Sequence, residues 1–167
     1  MTQNVIYSRC LLLSLVGPPS WHFVENASRD FPTELSKYMV SRILIMNDEH
    51  NTLELFRVIL ESEGYEVYLS LLPLENVYDV EQISPSLIIL DFKLGQHAQG
   101  MLMLQQLRMY APTMLIPILI CTAAVREMRE QEETFHRKGI PVLYKPFDIG
   151  ELLQAVHQLL LPPEKQR

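Results

Sequence analysis

Leu87-Ile88-Ile89-Leu90-Asp91 is an unbroken apolar run that stops at a carboxylate. A run of this kind, without alternation, reads as a strand buried on both faces, as in a parallel sheet covered by helices. In such sheets ligands bind beyond the carboxyl ends of the strands, and Asp91 stands at that end. On one reading it is a nucleophile or a metal ligand. On the other it is a turn residue that terminates the strand. The ends of the other strands decide between them.

Upstream, Ile43-Leu44-Ile45-Met46 is a second buried strand, followed by Asn47-Asp48-Glu49 and by Asn51 as a helix cap. Leu53, Phe56 and Leu60 recur at helical spacing, and Gly64 closes that helix. Tyr65 to Leu69 forms another strand, and its Glu66 suggests a sheet edge. Pro73 and Pro85 bracket a weak helix over Glu75 to Gln82. Downstream of Asp91 a loop of Gly, Gln and His reaches Gly100. A helix through Met101, Leu104 and Leu107 then ends near Pro112. Ile116 to Cys121 is the fourth strand and ends at Thr122. Val125 to Lys138 is a charged helix closed by Gly139. Pro141 to Tyr144 is a short fifth strand ending at Lys145-Pro146-Phe147. Asp148 caps a last helix with Leu152, Val156, Leu159 and Leu160 inward, stopped by Pro162-Pro163. Strands alternating with helices in this way imply an α/β fold: a flavodoxin-like (βα)5 doubly wound parallel sheet of strand order 2-1-3-4-5.

The chain has 167 residues, 48% hydrophobic and 20% charged, the composition of one soluble globular domain. Its net charge of −6 argues against nucleic-acid binding, which needs a basic stripe. No apolar run is long enough to span a membrane. Cys10 and Cys121 are not a disulfide framework, and a reducing, cytoplasmic setting is expected. Residues 1–40 show no sustained period and are expected to be a poorly ordered extension. Leu11 to Val16 has the length of a short signal core, but the only charge ahead of it is Arg9 and no good cleavage site follows. A chain starting at Met39 is the other possibility for this end. Residues 41–161 are expected to form the domain and 162–167 a short tail, which leaves no room for an attached output domain.

The strand ends collect a set of groups. The first strand leaves Asn47, Asp48 and Glu49, the third Asp91, the fourth Thr122 and the fifth Lys145. Carboxyl oxygens with a backbone carbonyl and waters suit Mg²⁺. A cation there offsets repulsion between Asp91 and a phosphoryl group. A lysine supplies compact charge opposite it, and a threonine hydroxyl can donate a hydrogen bond. The Asp91 carboxylate can then attack phosphorus to give an acyl phosphate. Taken singly, Asp48 and Glu49 read as the acidic start of a helix, Thr122 as a cap and Lys145 as a solvated strand end. Their joint occurrence at successive strand ends favours the chemical reading.

With these pieces in order, residues 41–161 resemble the response-regulator receiver domain of two-component signalling. The matching segments are Ile43 to Glu49, Leu87 to Asp91, Ile120 to Ala123, and Lys145-Pro146-Phe147. The resemblance implies a signalling module rather than an enzyme, with Asp91 as phosphoacceptor. It implies Asp48 as a Mg²⁺ ligand, Lys93 as donor of a backbone carbonyl to the metal, Thr122 as the switch hydroxyl and Lys145 as the phosphoryl contact. It also implies a cis peptide at Lys145-Pro146. The partners implied are a sensor histidine kinase or phosphotransfer protein, and a downstream protein docking on the face of the fourth helix, fifth strand and last helix.

Three positions depart from the family pattern. Asn47 stands where the first of two adjacent acids is usual, which leaves it a weak, water-mediated place at the metal and predicts weaker Mg²⁺ binding. The loop after Asp91 lacks the usual proline and carries Gly95. Val142 occupies the usual aromatic switch position, with Tyr144 on the same strand parity. These departures motivate an alternative, a receiver-like interaction module that works without phosphorylation. A Mg²⁺-dependent phosphatase of similar topology would need an acid two residues after Asp91, where Lys93 stands. A flavodoxin-type cofactor binder would need a hydroxyl- and glycine-rich loop after the first strand. His97 is the histidine nearest Asp91 in sequence, and no histidine pair has metal spacing.

Overall fold

A computed structural model describes residues 40–71, 77–94, 99–129 and 131–161, with only the backbone at Glu127. In chain order the elements are β1 (Arg42–Met46), α1 (His50–Ser62), β2 (Glu66–Ser70), α2 (Val77–Ile83), β3 (Leu87–Asp91) and α3 (Gln99–Met109). They continue as β4 (Ile118–Thr122), α4 (Val125–Arg129), α5 (Glu132–Arg137), β5 (Val142–Tyr144) and α6 (Ile149–Leu160). All strands are parallel and lie in the order β2-β1-β3-β4-β5. The doubly wound flavodoxin-like sheet is therefore present, with β2 on an edge as Glu66 suggested.

Strand parity sorts the apolar residues onto two faces. Leu44, Met46, Ile88, Leu90, Ile118 and Ile120 face one core, closed by side chains of α2, α3, α4 and α5. Ile43, Ile45, Leu87, Ile89, Leu119 and Cys121 face the other, closed by α1 and α6. Every residue of β3 and of β4 is buried. Continuous apolar runs are what a strand covered on both sides requires, since burial there is the main favourable term.

Helix ends follow local chemistry. After α1, Tyr65 N–H donates to Leu60 O and Gly64 N–H to Glu61 O, with Gly64 at φ 85°. After α5, Ile140 N–H donates to Phe135 O and Gly139 N–H to His136 O, with Gly139 at φ 63°. Both are Schellman closures, where the left-handed residue is cheapest as glycine. At α6 a full capping box joins Asp148 and Glu151.

The structure differs from expectation in several elements. Glu49, not Asn51, is the cap of α1. The charged segment Val125 to Lys138 is not one helix. Gln131, at φ −115°, sits between α4 and α5, and its N–H donates to Met128 O in a tight turn. Pro117 precedes β4, because a residue without an N–H cannot join a central ladder. The expected extension (except Val40), the tail, Gly95, His97 and the start of the weak helix at Glu75 lie outside the described residues.

Candidate phosphoacceptor site

The carboxyl edge of the sheet brings Asn47, Asp91 and Lys145 together. Asn47 continues the parity of Ile43 and Ile45, and Asp91 that of Leu87 and Ile89. Beyond β5, Lys145 continues the parity of Leu143, which packs on the α1/α6 side. These side chains therefore leave the sheet toward that same side. Lys145 Nζ lies 2.7 Å from Asp91 Oδ2. Asn47 Nδ2 donates to the same oxygen at 2.9 Å. The Lys93 backbone N–H donates to Asp91 Oδ1 at 2.9 Å. Asp91 is 7% exposed and Asn47 1%. A carboxylate so far from water costs several kcal/mol unless it is paired and hydrogen-bonded. Both oxygens have donors here, one of them charged.

The orientation of the Asn47 amide is fixed by its neighbours. Its Oδ1 accepts from Glu49 N–H at 2.8 Å while its Nδ2 faces Asp91. The flipped amide would set oxygen against carboxylate and N–H against N–H, so only this assignment satisfies both partners. Asn47, rather than Asp48, therefore stands beside Asp91. Asp48 is exposed next to it.

Thr122 leaves β4 with the parity of Ile118 and Ile120, toward the other side of the sheet. It is fully buried, and its Oγ1 accepts from Ala124 N–H at 3.0 Å. Tyr144 pairs with Thr122 in register and packs, with Val142, against the same core. The shared parity of Val142 and Tyr144 is thus present. Burial, with Glu132 adding, raises the Tyr144 phenol, and Arg129 opposes this.

Two supports were not legible as such in the sequence. Gly100, read as the end of a loop, lies in the first turn of α3 against the Asp91 backbone. A Cβ there would be 2.2 Å from Asp91 O and 2.7 Å from Phe92 O. The signal was a glycine at a helix start just after the acidic strand end. Phe147 stacks on Phe56 of α1 at 5.7 Å, which anchors the turn that carries Lys145. The Lys145-Pro146 peptide is cis.

No group of three or more His, Cys, Asp or Glu side chains among the described residues could by itself hold a metal ion. What this edge offers is oxygen: the Asp91 carboxylate, the Asn47 amide beside it, backbone carbonyls, and the exposed Asp48 carboxylate one residue further along the chain. Such a set suits Mg²⁺ rather than a thiolate- or imidazole-loving metal. It carries one negative charge fewer than a three-acid set would.

A doubly wound domain with a part-buried acid–lysine pair at its carboxyl edge has the architecture of a receiver-like signalling domain. Residues 43–157 match the response regulator receiver domain, and the chain belongs to that family. It is 33% identical over 119 residues to the DNA-binding dual master transcriptional regulator RpaA of Synechocystis sp., covering 71% of this chain and 48% of that one. It is 25% identical to sporulation initiation phosphotransferase F of Bacillus subtilis, covering 73% of this chain and 95% of that one. The receiver domain of a Pseudomonas aeruginosa sensor histidine kinase, solved with magnesium in its active-site cleft, shares the fold at a TM-score of 0.63 and 24% identity. That match covers 73% of this chain and 98% of that one. The chain spans about half the length of two curated regulators that it matches. Among the described residues no helix is long and apolar enough to cross a membrane.

Proposed function

We propose that this receiver is a cytoplasmic single-domain response regulator in which Asp91 accepts a phosphoryl group from a histidine of a sensor kinase or phosphotransfer protein. The observation that carries the reading is the 2.7 Å pairing of Lys145 Nζ with Asp91 Oδ2 at the sheet edge. A carboxylate oxygen attacks phosphorus and the P–N bond breaks. Its electron pair stays on the histidine nitrogen, which takes a proton from water, and an acyl phosphate remains on Asp91. Lys145 follows the charge onto the phosphoryl oxygens. Lys93 N–H keeps the second carboxylate oxygen aimed. Thr122, whose side chain leaves the sheet toward the other side, would turn to donate its hydroxyl hydrogen to a phosphoryl oxygen.

Asp48, Asp91 and the Lys93 carbonyl would hold Mg²⁺, with Asn47 contributing through water by the second lone pair of its Oδ1. When bound, the ion supplies positive charge against the incoming phosphoryl oxygens. Asn47 lowers the charge of the set, so binding is weaker than with two adjacent acids.

The charge added at Asp91 draws the Thr122 hydroxyl and Lys145 toward the phosphoryl group and shifts the face made by α4, α5, β5 and α6. Output is binding of another protein to that face, without direct contact with nucleic acid or membrane. The near full-length match to the phosphotransferase from Bacillus subtilis supports a domain acting alone. Asn47, which gives Asp91 a hydrogen bond in place of a carboxylate, favours a second reading, an interaction module that is never phosphorylated.

Transfer from a phosphorylated histidine phosphotransfer protein tests the choice. We expect label on the full chain that hydroxylamine removes, as for an acyl phosphate, and none on Asp91→Asn. Label that survives hydroxylamine, or equal label on the variant, overturns the assignment.

A further inference from the structure

On the side of the sheet away from α1 and α6, a cavity of about 490 Å³ lies between α3 and α5. That volume falls within the range of roughly 300–1,000 Å³ typical of small-molecule sites. Its walls include the buried apolar side chains Leu104, Phe135 and Ile140. Two cations also line it, Arg108 from α3 and Lys138 just beyond α5. Among the described residues that line it none is acidic, in a chain of net charge −6. Arg108 is held as part of the wall, because its Nη1 donates to Met114 O at 3.1 Å and to Ile116 O at 2.9 Å. Lys138 is exposed, and its backbone N–H is tied to Phe135 O at 3.1 Å, which sets where its side chain begins.

An apolar pocket with two cations in its lining selects a ligand of matching pattern. A neutral apolar body gains nothing from the charges. A small polar anion leaves the apolar walls unfilled. We propose that the cavity between α3 and α5 is a binding site for a small amphipathic anion, a compact apolar or aromatic body bearing one carboxylate, sulfonate or phosphate. The body packs on Leu104, Phe135 and Ile140, and the anionic group meets Lys138 and Arg108.

The site is coupled to the sheet edge through one ring contact. Phe135 meets Phe92 edge to face, centroids 6.5 Å apart, and Phe92 follows Asp91. An occupant that shifts Phe135 therefore bears on the Asp91 turn. That consequence rests on the reading of Asp91 above, whereas binding itself does not.

The test titrates the full chain with 8-anilinonaphthalene-1-sulfonate and, in parallel, with the neutral N-phenyl-1-naphthylamine, reading dye fluorescence and amide shifts. We expect one saturable site for the sulfonate, with shifts on α3 and α5. Lys138→Glu should weaken it about tenfold, the scale of one charge-assisted hydrogen bond, and leave the neutral dye unchanged. The same charge change at the exposed Arg126 should have no such effect. Thr134→Trp, which fills the cavity, should weaken both dyes. Should that variant fold poorly, the Lys138 and Arg126 comparison decides alone. Sulfonate binding that does not saturate, that ignores Lys138→Glu, or that is matched by the neutral dye overturns the proposal.

Discussion

Asn47 puts an N–H 2.9 Å from Asp91 Oδ2, where a carboxylate would put negative charge. Asn47→Asp should therefore act in opposite directions with and without metal. In Mg²⁺-free solution the variant loses a buried hydrogen bond and sets two carboxylates side by side, costing about 1–3 kcal/mol of stability. With Mg²⁺ the extra acid tightens metal binding, and stability recovers by linkage. Thermal unfolding with and without Mg²⁺ checks this, and a variant whose midpoint ignores Mg²⁺ would contradict it. At this scale the sequence was partly legible. Asp91 and Lys145 stood at strand ends where residue type and parity signal a site. The Asn47 amide orientation was not legible, because it depends on a contact across 44 positions of chain.

The start of α3 is where an element and the site press on each other. A methyl group at Gly100 would overlap Asp91 O, so either the helix or the strand end must move. Gly100→Ala should cost about 1–3 kcal/mol, the range for overpacking a filled interior. It should also displace the Lys93 N–H that aims the Asp91 carboxylate. A lowered urea midpoint together with shifted Lys93 and Phe92 amide resonances is the expected result. An unchanged midpoint would mean that the close approach is not a constraint. Element types were legible from periodicity and boundaries less so. The break between α4 and α5 escaped detection because charged residues run through both, and charge does not report where a helix turns. The start of α1 escaped because Asn51 looks like a cap, while the cap position is taken by Glu49.

The whole molecule is a sheet between two helical layers, and its interior holds a thiol that resists ionisation. Burial, with Asp91 adding and Lys145 opposing, pushes Cys121 from an ordinary value near 9 up to about 12. Tyr110 moves the same way, to about 12, chiefly through its hydrogen bond to Glu81. For both groups the folded chain keeps a proton that the unfolded chain releases. Their stabilisation is complete below pH 9 and is lost as pH rises toward 12. The urea midpoint should decline over that window, and Cys121→Ala should flatten the decline. A flat wild-type profile across it would contradict the assignment. The two-sided core and strand order were legible from continuous apolar runs and from the alternation of strands with helices. The cavity between α3 and α5 was not, since it arises from how two helices sit on one face.

The proposed chemistry turns on Asp91 taking a phosphoryl group with Lys145 beside it. Intact-mass spectrometry after incubation with acetyl phosphate, with and without Mg²⁺ and beside Asp91→Asn, tests it most directly. We expect a Mg²⁺-dependent gain of one phosphoryl group on the native chain and none on the variant. A folded native chain that gains nothing and binds no Mg²⁺ would contradict it and leave the phosphorylation-independent interaction module.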